Sequence, residues 1–187
     1  MFAAEALERF RRFGGVRTVL DVGSGDGEQA ELLRASGKSV TRVSLRPPAD
    51  VLCDYMQTEL GPVDGIWASH VLEHMPDVGS FLGKCFNDLR EGGVLAVTVP
   101  PAKHAIVGGH VSLWNEGLLL YRLVLAGFDC RQAQVGVYGY NISVIVRKAP
   151  AELPALAMDA GDIERLADFF PVPVWQGFDG RCGNVAW

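Results

Sequence analysis

A glycine-rich segment near the start of the chain is the first place where residue types and spacing could do chemistry. The apolar stretch Thr18 to Val22 is followed at once by Gly23-Ser24-Gly25-Asp26-Gly27 and then by residues with helical spacing. Glycines in such a turn let backbone N–H groups approach a ligand closely. Asp21, at the end of the predicted strand, can position the turn or accept a hydrogen bond from a cationic ligand group. We expect a ligand to bind here.

The spacing of these glycines narrows the class of ligand. A dinucleotide-binding turn has the pattern GxGxxG, whereas here the third glycine comes one residue earlier and position 28 is Glu28. NAD is therefore the weaker option. An NAD(P)-dependent oxidoreductase is disfavoured further because no Tyr/Lys or Ser/Tyr catalytic pair is recognisable. Taken alone, the segment also fits an ordinary strand-to-helix turn.

Strands and helices alternate along the chain as they do in an open parallel sheet. Strands are predicted at 18–22, 39–45, 51–52, 64–69 and 94–99, and helices at 2–13, 28–35, 78–90 and 115–127. The usual helix between the second and third strands is missing. Segments 128–137 and 140–147 predict an antiparallel hairpin at the sheet's edge. The predicted fold class is α/β, a Rossmann-like three-layer α/β/α sandwich with a mostly parallel sheet, whose ligand lies at the carboxyl ends of the strands.

The chain divides into one domain, residues 1–150, and a short C-terminal extension, residues 151–187. The extension begins with a Pro/Ala-rich connector, continues with a short helix near 162–170 and ends in an aromatic tail. It is too small for a second domain, so Trp175, Phe178 and Trp187 should pack on the main domain. Packing across a homodimer is the alternative, and the tail permits it without requiring it.

Composition and charge exclude several classes of protein. The 187 residues are 49% hydrophobic and 21% charged, which indicates a globular chain with a large core. The net charge is −5, without a clustered basic face, so nucleic acid is not expected as a partner. Four widely spaced cysteines suggest neither a metal site nor disulfides. No membrane span or signal peptide is recognisable, so we expect a cytoplasmic protein.

Two stretches resemble a known family. VLDVGSGDG is similar to the first motif of class I S-adenosylmethionine-dependent methyltransferases, and DGIWASHVLEHMPDVGSFLGKCFNDLREGGVLAVTVPP is similar to their fourth-strand, helix and fifth-strand block. The resemblance covers roughly Thr18 to Lys148. It implies S-adenosylmethionine as the cofactor, with its methionine part wrapped by the glycine turn.

The resemblance also implies a set of cofactor-binding residues, position by position. The methionine part would meet Asp21, Gly23, Ser24, Gly25 and Gly27; Cys53, Asp54 and Tyr55 would border the adenine; Ser69 and His70 would face the sulfonium side. The family usually has an acidic residue at the end of the second strand, which binds the ribose hydroxyls. Here residues 39–49 contain no Asp or Glu, so the Ser44 hydroxyl, the backbone or a folded-back Asp50 would have to replace it. This departure suggests a second interpretation, a methyltransferase-like binding protein that has lost catalysis.

Methyl transfer from a sulfonium needs a base only if the acceptor must lose a proton. His70, His74 and His110 are candidates for that base, and His110 is the first choice because it follows the fifth strand, where the methyl group should emerge. Its segment also holds His104, Trp114 and Asn115, and such loops usually shape the acceptor pocket. The alternative is structural: His74 belongs to the family's common Leu-Glu-His segment, Trp114 anchors a helix and His110 caps the loop. A loose similarity to methyltransferases of polysaccharide synthesis suggests a small molecule or a sugar hydroxyl as acceptor.

Overall fold

The computed structural model describes residues 2–187, which form one seven-stranded sheet with helices around it. The strands are β1 (Thr18–Val22), β2 (Ser39–Ser44), β3 (Val51–Leu52), β4 (Val63–Ser69), β5 (Leu89–Val99), β6 (Gln134–Tyr138) and β7 (Asn141–Arg147). The helices are α1 (Ala4–Arg11), α2 (Glu28–Ala35), α3 (Val78–Asp88), α4 (Glu116–Leu125) and α5 (Asp162–Arg165). In space the strands follow the order β3-β2-β1-β4-β5-β7-β6.

The sheet is parallel from β3 to β5 and changes direction at β7. Strand β7 pairs antiparallel with both β5 and β6, so the predicted edge hairpin is confirmed. Because the chain order reverses between β1 and β4, which lie side by side, their carboxyl ends border a crevice.

Two apolar clusters show that helices cover both faces of the sheet. On one face Leu7 and Phe10 of α1 and Leu33 of α2 pack with Trp67 of β4. On the other, α3 and α4 contribute buried side chains that include Phe81 and Leu120. The predicted three-layer Rossmann-like sandwich is therefore confirmed.

Several element boundaries differ from the sequence-based ones. Helix α3 ends at Asp88 because Leu89 already pairs with Val63 of β4. The strand predicted over 128–137 is limited to β6, since Cys130 to Ala133 form a turn closed by a 2.9 Å hydrogen bond. The helix predicted near 162–170 is reduced to α5 and a 3₁₀ turn at Ala167–Phe169. The absence of a helix between β2 and β3 is confirmed, as residues 45–50 join them directly.

Residues 151–187 run back over the main sheet. Val185 forms a bridge with Val135 on the outer side of β6. The Trp187 ring stacks on Tyr138 with 5.6 Å between centroids, and its Nε1 donates to Glu5 at 3.0 Å. These contacts shield the exposed edge of the sheet, which otherwise offers unpaired backbone groups to other chains. Across residues 2–187, no helix has the length and apolar character to cross a bilayer.

Candidate functional site

The predicted ligand-binding turn crosses the carboxyl end of β1. Its glycines, Gly23, Gly25 and Gly27, have φ values of 74°, 55° and 87°, in the region that favours glycine. At Gly23 a Cβ atom would lie 2.5 Å from Cγ2 of Val71, so a side chain has no room there. The N–H groups of Gly23 and Ser24 donate to the carbonyl of Val43 at 2.8 and 3.3 Å, which ties the turn to β2.

Two side-chain oxygens beside this turn are buried without a hydrogen-bond partner in the described chain. They are Oδ2 of Asp21, a residue 2% exposed, and Oγ of Ser24, a residue 8% exposed. Burial raises the pKa of Asp21 to about 7, although the charges of Arg34 and Arg42 oppose the shift. Because unpartnered buried oxygens are unfavourable, the position suits a ligand that donates hydrogen bonds, and a cationic group would favour the ionised carboxylate.

A cleft of about 110 Å³ opens next to the turn, and we call it the strand-end cleft. It is lined by five of the residues predicted to contact a cofactor, Gly23, Ser44, Cys53, Asp54 and Tyr55, together with apolar side chains that include Val71 and Met75. The Tyr55 hydroxyl faces the core, 3.8 Å from Cys85 Sγ, and its pKa is raised by burial. Only the Tyr55 ring is left to face a ligand. The cleft is smaller than the roughly 300 Å³ at which small-molecule pockets begin.

The second-strand region holds no free acid for a ribose. Both carboxylate oxygens of Asp50 bind arginines: Oδ1 accepts from Arg42 Nη2 at 2.8 Å, and Oδ2 accepts from Arg34. These contacts hold the pKa of Asp50 well below its usual range, mainly through the hydrogen bond from Arg42. The expectation that Asp50 could fold back toward the ligand is therefore wrong. Ser44 stays at the cleft, where its Oγ accepts from the backbone of Arg46 at 3.1 Å.

His70 follows Ser69 at the end of β4 and is held on both sides of its ring. Its Nδ1 lies 3.1 Å from Glu73 Oε1 and its Nε2 lies 3.0 Å from Asn141 Oδ1. Burial lowers the pKa of His70, but the hydrogen bonds to Glu73 and Asn141 and the Glu73 charge outweigh it and leave the pKa raised. The ring therefore has no free lone pair for a base. Neither Ser69 nor His70 lines the strand-end cleft, although both lie at the same end of the sheet.

A second pocket, of about 290 Å³, lies after β5, and we call it the loop pocket. It is lined by Pro100, Pro101, Lys103, His104, Ala105, Ile106, Val107, His110, Val111, Ser112, Leu113 and Tyr140. The predicted acceptor segment thus forms a pocket, completed by Tyr140 from the β6–β7 turn. Trp114 does not line it, because its side chain is buried in the core at the start of α4, while Asn115 caps that helix by accepting from Leu118 N at 2.8 Å.

Glu73, His74 and His110 meet at the border of the loop pocket. Each offers one ligand atom, and these atoms lie within 4.8 Å of one another. His74 Nδ1 donates to the Gly109 carbonyl at 2.8 Å, so its Nε2 carries the lone pair. Glu73 Oε2 is buried without a hydrogen-bond partner in residues 2–187. Two imidazoles and a carboxylate can act together as ligands of a divalent transition metal. Local spacing does not predict this cluster, because His110 lies far along the chain from Glu73 and His74.

Three residues of the site were not found from the sequence. Lys103, Tyr140 and Asn141 stand beside the predicted histidines, and the ammonium of Lys103 lies 3.9 Å from the Tyr140 ring centroid. Lys103 could have been noted, since it directly precedes His104. The other two belong to the hairpin, whose place next to β5 depends on the strand order.

A family model described as a methyltransferase domain matches residues 2–133, well over half of the chain. The chain belongs to this methyltransferase domain family. The match includes the glycine turn, β4 and the segment after β5. It therefore contains every residue that lines the strand-end cleft, and every residue that lines the loop pocket except Tyr140.

Curated relatives of the family are distant and longer than this chain. A ubiquinone biosynthesis O-methyltransferase from Psychrobacter arcticus is 27% identical over 166 residues, which are 78% of this chain and 58% of that protein. The chain thus spans less than two-thirds of that relative's length. The relative is similar in sequence, but its activity and substrate cannot be assigned to this chain from that similarity.

Solved structures agree on the fold. A 1,6-didemethyltoxoflavin-N1-methyltransferase from Burkholderia thailandensis, solved with bound 1,6-didemethyltoxoflavin and S-adenosylhomocysteine, has a TM-score of 0.68 at 21% identity, over 78% of this chain and 77% of that one. The cyclase SpnF has a TM-score of 0.58 at 24% identity, over 70% of this chain and 58% of that one. The same architecture therefore serves a methyltransferase and a cyclase, and the site has to decide between chemistries.

Proposed function

We propose that the chain is an S-adenosylmethionine-dependent methyltransferase that methylates a hydroxyl group of a small molecule. The pair of buried, unpartnered oxygens on Asp21 and Ser24 beside the glycine turn carries this proposal. The amino-acid end of the cofactor offers an ammonium group for Asp21 and a carboxylate for backbone N–H groups of the turn. Family membership and a structural neighbour solved with S-adenosylhomocysteine support the same cofactor.

The remaining predicted residues would hold the adenosine. Ser44, Cys53, Asp54 and the ring of Tyr55 line the strand-end cleft, so the adenosine belongs there. Asp50 is occupied by Arg34 and Arg42, which leaves the Ser44 hydroxyl and backbone groups for the ribose. Ser69 and His70, at the end of β4, would lie toward the sulfonium. We expect weaker cofactor binding than an acidic ribose ligand would provide.

The bound cofactor would supply a methyl group made electrophilic by its sulfonium. The chain's own residues have to hold the acceptor oxygen in line and take its proton as the oxygen–carbon bond forms. His70 has both ring nitrogens engaged and His74 has one. His110 lines the loop pocket, and its ring makes no hydrogen bond within residues 2–187. We therefore assign the base to His110 and a positioning role to His70 and His74.

The walls of the loop pocket favour a small molecule over a sugar as acceptor. Sugars need many polar partners, yet the lining is made mainly of proline, alanine, valine, leucine and isoleucine. An apolar hydroxyl compound fits these walls better than a saccharide does.

A binding protein without catalysis is the second candidate. It is favoured by the small strand-end cleft, about 110 Å³, and by the missing ribose acid.

Calorimetric titration with S-adenosylmethionine, S-adenosylhomocysteine and NAD separates these functions. Gly25→Arg places a long side chain in the turn, and Gly15→Arg is the matched control. Both glycines have a positive φ, 83° at Gly15 and 55° at Gly25, and an added Cβ would have no atom within 4 Å at either position. Gly15 lies before β1, at the opposite end of the sheet.

The proposal requires that both sulfur ligands bind to the wild type and to Gly15→Arg, but not to Gly25→Arg. Binding of NAD alone would favour an oxidoreductase. If none of the three ligands binds, the non-catalytic binding protein is favoured. Binding of the sulfur ligands without methyl transfer to any hydroxyl compound in a screen would favour it as well.

A further inference from the structure

The loop pocket has an unusual charge for this protein. Its lining contains one ammonium, that of Lys103, two imidazoles, His104 and His110, and no aspartate or glutamate; the nearest carboxylate named at its border is Glu73, beside His110. The chain as a whole carries a net charge of −5. A cavity lined by one sign of charge concentrates ligands of the opposite sign, so this pocket selects differently from the rest of the surface.

Lys103 is the charged group of the loop pocket that can bind a ligand. Its Nζ lies 3.9 Å from the Tyr140 ring centroid, and no carboxylate of residues 2–187 pairs with it. The other lysines are engaged: Lys84 pairs with Asp88 at 3.0 Å, and Lys148 pairs with Glu91 at 3.2 Å. Lys38 donates to backbone carbonyls. An ammonium above a ring face still has N–H groups to donate.

Exposed apolar side chains line the same pocket as Lys103. Ile106 is 98% exposed, Val111 is 61% exposed and Leu113 is 59% exposed. Three large apolar side chains on one short segment form an exposed patch, and such patches usually mark a binding surface. A ligand with an apolar body would cover them.

We infer that the loop pocket takes an apolar carboxylate, whose anionic group pairs with Lys103 while its body covers Ile106, Val111 and Leu113. The inference rests on the proposed function, since it specifies the acceptor of that reaction. A neutral sugar lacks both features, and an organic cation would be repelled by Lys103. A carboxylate matches a single ammonium and the modest volume of about 290 Å³.

Three probes test the two halves of this inference on the full chain. Binding of 2-naphthoate, its uncharged isostere 2-naphthamide and glucuronate is measured by calorimetry, with and without S-adenosylhomocysteine. We expect naphthoate to bind about tenfold more tightly than naphthamide, as one charge-assisted hydrogen bond would provide, and more tightly than glucuronate. Equal affinities of naphthoate and naphthamide would contradict the pairing of an anionic group with Lys103. Glucuronate binding as tightly as naphthoate would contradict the requirement for an apolar ligand body.

Variants locate the effect at Lys103. Lys103→Met should abolish the preference for naphthoate and leave naphthamide binding unchanged, while Lys103→Arg retains the preference. Arg17→Met is the control, because it removes an exposed positive charge at the amino end of β1, far from the pocket. A preference that survives in Lys103→Met, or is lost equally in Arg17→Met, contradicts the inference. Failure of the wild type to bind S-adenosylhomocysteine is a separate result. It would contradict the proposed function, while the preference for naphthoate could still be measured.

Discussion

Replacement of Asp21 by asparagine tests whether the glycine turn is built around a buried carboxylate. The pKa of Asp21 is raised from 3.8 to about 7, chiefly by burial. The folded state therefore holds this proton more tightly than the unfolded state does. Its contribution to stability is fully present below pH 4 and is lost as the pH rises to about 7. The difference between 3.8 and about 7, at about 1.36 kcal/mol for a tenfold change in proton affinity, corresponds to about 4 kcal/mol of folding free energy.

Asparagine resembles the protonated acid and does not ionise. Near pH 4 the variant and the wild type should have similar free energies of unfolding, whereas at pH 8 the variant should be more stable by up to about 4 kcal/mol. Urea unfolding across this pH range measures the difference. Asp26→Asn, in the same turn but exposed, is the control and should show no such trend.

The same variant should lose affinity for S-adenosylmethionine, because the neutral amide no longer attracts an ammonium group. Stability would thus rise while binding falls, as expected where a strained site serves a ligand. A stability difference that does not change with pH would refute the raised pKa. A variant that is destabilised at pH 8 would refute the view that the carboxylate is unpartnered in the free protein.

Three further outcomes follow from the site. His110→Ala should lower kcat by about 100-fold or more without changing cofactor affinity, whereas His104→Ala should have a much smaller effect; equal losses would remove His110 as the base. Asn141→Ala should lower the pKa of His70, since one hydrogen bond that raises it is lost, and an unchanged NMR titration would contradict this contact. Gly23→Ala should reduce stability by about 1–3 kcal/mol, because φ is 74° and the added methyl would meet a valine methyl carbon at 2.5 Å; a denaturation midpoint equal to that of the wild type would show that the turn relaxes freely.

The order of elements and the ligand-binding turn were predictable from the sequence because they depend on neighbours in the chain. Apolar strand residues that end in Gly23-Ser24-Gly25-Asp26-Gly27 can form little else than a strand, a turn and a helix. The missing helix after β2 was equally visible, since two prolines at 47 and 48 leave no room for one. Element ends were less accurate where pairing across the sheet decides them, as at Leu89, which begins β5 because it pairs with Val63 of β4.

The chemistry of the site depended on the tertiary structure. Sequence spacing placed Asp50 near the ribose position, yet its two oxygens bind Arg42 of β2 and Arg34 of α2, the helix that packs beside β2. The strand order β5-β7-β6 brings Tyr140 over Lys103 and Asn141 to His70, pairs separated by dozens of residues in the chain. Burial, which sets the pKa of Asp21, exists only once the layers have closed. A linear pattern records which groups are present, and the packed sheet decides which of them meet and how much water they keep.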